Sequence, residues 1–168
     1  MAVSGYVKHL LSTEQKRTDF KPESSDISMM HSMACAKAVA YINSVITAIR
    51  SQIDGENLDA LLLEMGLRLH KIVYDHLLQY QYNSMGAMLA ICDVNEYRSC
   101  IKSIGSDSVV QLFDVLHALC NLLVVPPDNL KQVCVGEPLG TLDKVILKSF
   151  ISLRSDYKTA QLATVLGR

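Results

Sequence analysis

From Ser28 onward the apolar residues of this chain recur at steps of three and four, the spacing that places side chains on one face of an α-helix. No segment sustains the period-two alternation of a half-buried strand. Ala38, Ile42, Val45, Ile49 and Ile53 form one seam, ended by Asp54-Gly55. Leu58, Leu62, Met65, Leu69 and Ile72 form the next, in a segment reaching Tyr80 and broken by Asn83-Ser84 and Gly86. Val109, Leu112, Leu116, Leu119 and Leu123 form a further seam, which Pro126-Pro127 ends because neither proline has an N–H for the preceding turn. Asp128 is placed to cap a short helix through Cys134, and Gly136, Pro138 and Gly140 make a loop. Leu142, Ile146, Phe150, Leu153 and Tyr157 make the last seam, continuing weakly to Leu166. The pattern predicts an all-α fold, an antiparallel bundle of about six helices with short connections.

Asp93-Val94-Asn95-Glu96-Tyr97 admits two readings. Two carboxylates three residues apart suggest acid–base chemistry, but that requires a pocket and pKa values pushed apart, and no third polar group is near in sequence. Asp is also a strong N-cap, and a Glu three positions on can reach back to the cap's own N–H. With Val94, Tyr97, Ile101 and Ile104 following at helical spacing, Asp93 and Glu96 are read as a capping box, with Gly105 as the residue that stops the helix.

Other chemistry is thinner. His31 and Cys35 stand at i, i+4 and His117 and Cys120 at i, i+3, but a structural zinc needs four ligands, and His117 and Cys120 sit inside an apolar seam. A Cys120 nucleophile would need a low pKa in an electropositive, partly exposed site, whereas Leu119, Leu122 and Leu123 predict the reverse. His70 and His76 read as packed or partly exposed residues of the long helix. Gly136, Pro138 and Gly140 match no phosphate loop. The five cysteines are odd in number and lack CxxC pairs, which suggests reduced thiols in a cytosolic protein.

A net charge of −1 supplies no field toward nucleic acid, and the absence of Trp with 6% aromatics argues against base-stacking platforms. Neither a secretory pattern nor a bilayer-length apolar run is visible. Residues 141–168 carry five cations against two carboxylates. Lys144, Lys148 and Lys158 there are a possible partner or membrane face, though such a run is more often the solvated side of a helix. Residues 1–27 read as the end of a preceding helix and a polar linker, and residues 28–168 as the helical bundle. Taken alone, these residues describe a helical scaffold or interaction module.

A resemblance adds an identity. Leu67-Arg68-Leu69-His70-Lys71-Ile72, Asn83-Ser84-Met85-Gly86-Ala87-Met88 and Asp93-x-x-Glu96-Tyr97 resemble the exocyst complex component five, or Sec-ten subunit, family. So do Leu112-Phe113-Asp114, the run from Leu116 to Val125, Pro127 to Cys134, Leu153-Arg154-Ser155-Asp156-Tyr157-Lys158, and the polar stretch from Ser12 to Phe20. The resemblance implies the C-terminal end of a helical rod of the tethering-complex type. It also implies a non-enzyme without a cofactor, cytoplasmic and recruited to vesicles and the plasma membrane, which helps dock secretory vesicles before fusion. The implied partners are other exocyst subunits, above all the Sec-fifteen subunit, with membranes reached through the complex. A small-GTPase effector or lipid-contacting module using the basic C-terminal face is the alternative. Residues 163–168 depart from the family pattern, and no role is carried onto them.

Two consequences are measurable by urea denaturation. Leu116→Ala or Leu119→Ala is expected to cost roughly 2–5 kcal/mol as a core cavity. As a helix cap, Asp93→Ala is expected to cost about 1 kcal/mol.

Overall fold

The computed structural model describes residues 2–23 and 31–167. Its α-helices are α1 (Ala2–Glu14), α2 (Met33–Gln52), α3 (Gly55–Leu77), α4 (Ser84–Lys102), α5 (Asp107–Asn121), α6 (Leu130–Val135) and α7 (Lys144–Ile151). Short 3-10 turns lie at Pro127–Asn129, Leu139–Thr141 and Leu162–Thr164. Among the described residues there is no strand, only a bridge between Tyr82 and Arg154.

Side-chain caps start three of the helices. Ser32 accepts from the Cys35 N–H at the head of α2, Asn83 from the Gly86 N–H at the head of α4, and Asp143 from the Val145 N–H at the head of α7. Gly105, at φ 80°, takes the left-handed conformation that lets the chain leave α4 and turn into α5. These two helices form the most extensive contact in the fold, a hairpin reinforced by an Arg98–Asp114 ion pair. Elsewhere packing often skips the neighbour in sequence. α2 lies against α4 and α1, and α3 lies against α1 and α5 more than against α2. The connections are short as expected, but the bundle is interleaved.

The core runs the length of this assembly. Phe113, Leu116, Leu119 and Cys120 of α5, Val94, Tyr97 and Ile101 of α4, and Phe150 of α7 are all buried. Of the seam residues, Leu62, Met65, Leu69, Tyr97, Leu116, Leu119, Leu123 and Phe150 are buried, while Leu58, Ile72, Leu112, Ile146 and Leu153 are half-buried. The expected division between residues 27 and 28 falls outside the described residues. What lies on its N-terminal side belongs to the same core: α1 buries Val7, Leu10 and Leu11, and Phe20 is fully buried against Tyr80 and Tyr82 at ring separations of 5.2 and 4.9 Å.

Three helix boundaries differ from expectation. Asp93 is not a cap. α4 begins at Ser84, because Asn83 caps it and the residues from Met85 to Ile91 continue the helix without a break, so Asp93 lies mid-helix with its own N–H in the helical ladder. Glu96 has no reach-back role there and is half-buried. Asp128 sits inside a 3-10 turn rather than at the head of α6, which follows Asn129 without a side-chain cap. The last seam is not one helix. α7 stops at Ile151, and Leu153, Tyr157, Val165 and Leu166 reach the core from turns.

At Gly86 the chain folds back closely on itself. The Phe20 carbonyl accepts from the Asn83 N–H at 3.3 Å, and the Asn83 side chain donates to the Pro22 carbonyl at 2.9 Å. A Cβ on Gly86 would stand 1.5 Å from the Phe20 carbonyl oxygen. Gly5, inside α1, has open space around it. Gly86→Ala is therefore expected to destabilise by about 3 kcal/mol or more through overpacking against backbone. Gly5→Ala is expected to stabilise by about 0.4–1 kcal/mol. Paired thermal or urea melts of the two variants measure both signs.

Candidate functional site

The Asp93 carboxylate is a buried, tightly held polar group. α4 carries it inward against the start of α2, where it is 3% exposed. One oxygen accepts from the Ser32 N–H at 2.6 Å and the other from the Ser32 hydroxyl at 2.6 Å. The same hydroxyl oxygen accepts from the Cys35 N–H at 3.2 Å, so the carboxylate orients the residue that caps α2. The Cys35 thiol lies 3.5 Å from the Asp93 carbonyl oxygen, to which it donates. Burial pushes the Asp93 carboxyl up to about 6, against the downward pull of the two Ser32 donors. Asp93 thus joins two helices; its polar partners are spent on structure.

Arg154 plays a similar joining role. It is 7% exposed and donates to the Leu122 and Val125 carbonyls at 2.8 and 2.5 Å, the unsatisfied acceptors that follow α5. A two-bond pair with Asp156, at 2.9 Å each, neutralises it and holds the Asp156 carboxyl below its ordinary value. On either side of Arg154, the Leu153 carbonyl accepts from the Tyr82 N–H at 2.9 Å and the Ser155 N–H donates to the Tyr82 carbonyl at 2.7 Å.

This changes the basic C-terminal face. Arg154 is internal, and Lys148 of α7 donates to the Gly167 carbonyl at 3.0 Å. Lys144 is exposed at the start of α7, whereas Lys158 is exposed in the turns beyond it, and Arg168 lies outside the described residues. The lysines do not share one continuous helix.

His9 is exposed, but the other histidines and the cysteines are buried or half-buried. Burial pushes the Cys120 thiol up to about 12 and Cys100 to about 11, and raises Cys35 as well. A thiol that keeps its proton at neutral pH is the opposite of an activated nucleophile. His117 is half-buried, and among the described residues no three His, Cys, Asp or Glu side chains converge as metal ligands would. His76 is 8% exposed, edge-on to Tyr80 at 5.0 Å, with its Nε2 3.4 Å from the Gln15 side-chain oxygen. Among the described residues, no helix is long and apolar enough to cross a membrane.

Sequence reasoning missed Ser32, Gly86, Phe20 and Arg154 as structural centres. Asn83 followed three residues later by Gly86 carried a signal, since Asn is a preferred N-cap, but it reads equally as a loop. The Ser32–Asp93 pairing spans 61 residues and leaves no local trace.

The family described as exocyst complex component Sec10-like, alpha-helical bundle, matches residues 1–166. Exocyst complex component 5 of Homo sapiens is 54% identical over 160 residues, covering 95% of this chain and 23% of that protein. The Drosophila melanogaster protein of the same name is 53% identical over 157 residues, 94% of this chain and 22% of that protein. Exocyst complex component SEC10a of Arabidopsis thaliana is 37% identical over 167 residues, 98% of this chain and 20% of that protein. The chain therefore spans less than a quarter of the length of these relatives.

The buried titratable groups give a pH dependence of defined sign. Burial lowers His76 to about 4 from an ordinary value of 6.5, so the unfolded chain takes up that proton first. The stability His76 supplies is complete above pH 6.5 and is lost as pH falls toward 4. His70, also lowered by burial, acts in the same direction. Asp93 acts oppositely: raised from 3.8 to about 6, its contribution is complete below pH 3.8 and declines as pH rises through 6. His76→Gln is expected to flatten the loss of stability between pH 6.5 and 4 by on the order of 2–3 kcal/mol, read as the difference in urea midpoints across that window. Equal slopes in the two proteins would contradict the buried neutral imidazole.

Proposed function

This chain belongs to the exocyst complex component Sec10-like family, and on that premise we propose that it is the C-terminal helical portion of a vesicle-tethering subunit. It acts by binding other exocyst subunits, the Sec-fifteen subunit above all, while the complex docks secretory vesicles at the plasma membrane. The bundle forms the end of a helical rod, is cytoplasmic, and meets membranes through the complex. It carries out no reaction and uses no cofactor.

The observation that carries this reading is 54% identity to an exocyst component across 95% of the chain. The geometry supports it. Asp93 and Arg154, the ionisable groups a catalyst would exploit, are consumed in joining helices. The buried thiols are held protonated by burial. The GTPase or lipid reading loses its main support, since Arg154 is internal and Lys148 is bonded to the Gly167 carbonyl.

Affinity-tagged chain expressed in animal cells is expected to co-purify exocyst subunits, with the Sec-fifteen subunit the most enriched by quantitative mass spectrometry. Recovery of a folded chain without exocyst subunits would contradict the proposal.

A further inference from the structure

Along one flank of the bundle, α1 and α3 leave an open groove of about 600 Å³ between them. Its α3 wall runs from Arg68 to His76, about 12 Å at the helical rise per residue, or two turns, with Gln79 just beyond the helix end. Leu11 and Ile72 supply its apolar lining. Lys8, Arg68 and Lys71 stand along it with Asp75, so cations outnumber carboxylates. Arg68 is paired with Glu64 at 2.6 Å and Lys71 with Asp75 at 3.0 Å. Both are exposed i, i+4 pairs of the kind worth only a few tenths of a kcal/mol, so an incoming carboxylate can replace either partner. Among the described residues Lys8 forms no ion pair.

A second observation extends the surface. The exposed leucines of α3, Leu63 at 38% and Leu67 at 40%, precede Lys71 by eight and four residues and form a stripe with it. Apolar contact and exchangeable positive charge, aligned with the α3 axis between Leu63 and His76, match the two faces of an amphipathic helix. A lipid headgroup fits less well. The cations line a trough with a carboxylate among them, and the apolar lining would face phosphate.

We propose that the α1–α3 groove docks an acidic amphipathic helix of another exocyst subunit, its apolar stripe on Leu67 and Ile72 and its carboxylates on Lys8, Arg68 and Lys71. The inference rests on the tether-subunit reading and specifies the face and the partner chemistry.

The test uses the whole chain and a purified exocyst subcomplex that lacks this subunit. A photo-crosslinking residue replaces Ser12 in the groove, and a second protein carries Lys8→Glu, Arg68→Glu and Lys71→Glu. The expected result is a crosslink to a partner segment rich in Asp and Glu, with apolar residues at steps of three and four. The triple variant should bind about tenfold or more weakly and lose the crosslink. If the triple variant melts early, Lys8→Gln with Lys71→Gln carries the same comparison at reduced amplitude. If the wild-type chain binds the subcomplex but the variants bind equally, or the crosslink falls on a basic segment, the groove inference is overturned and the tether reading stands. Charge-dependent binding to vesicles of phosphatidylcholine and phosphatidylinositol bisphosphate, abolished in the variants, also overturns it. Failure of the wild-type chain to bind the subcomplex at all brings down both.

Discussion

One buried carboxylate organises this bundle. Asp93 sits in the middle of α4, yet its two oxygens hold the residue that starts α2. Burying a carboxylate is costly unless it is well bonded, and the two 2.6 Å bonds are charge-assisted. Its negative charge also lies at the N-terminus of α2, where the helix dipole favours it. α2 packs on α4 and α1 packs on α2, so the position of the first helix follows from that contact. Removing the carboxylate strands two Ser32 donors in a buried site, a heavier loss than a missing surface cap.

Two further ties follow the same logic. Asn83 and Gly86 hold the backbone at Phe20 and Pro22 against the head of α4, with Phe20 driven into the Tyr80–Tyr82 nest. Arg154 gathers the carbonyls after α5 and pins the final turns beside Tyr82. Each tie joins segments distant in sequence and uses polar groups whose partners are internal. These ties hold the helices in register. The α1–α3 groove lies on a wall so held, because α1 is positioned through α2 and α3.

The apolar periodicity made the helical class and most of the seams legible, because helical spacing of Leu62, Met65 and Leu69 or of Leu116, Leu119 and Leu123 is a local property. Boundaries set by non-local contacts were not. Asp93 followed by Glu96 satisfies the local rule for a capping box, but Asn83 offered an earlier cap and the interior of the fold needed the carboxylate elsewhere. Arg154 looked like one more cation of a basic run. Its burial depends on carbonyls about thirty residues away, which periodicity does not encode. The groove was invisible for the same reason: Lys8 and Lys71 meet only when α1 packs on α3.

The most direct measurement is a double-mutant cycle on the Asp93–Ser32 pair, with Asp93→Ala, Ser32→Ala and the combination compared by urea denaturation. A coupling of about 1–3 kcal/mol is expected, because each single change removes the same buried Ser32 hydroxyl–carboxylate bond. Additive losses, agreeing to within about 0.5 kcal/mol, would contradict it and show that α2 is anchored without Asp93.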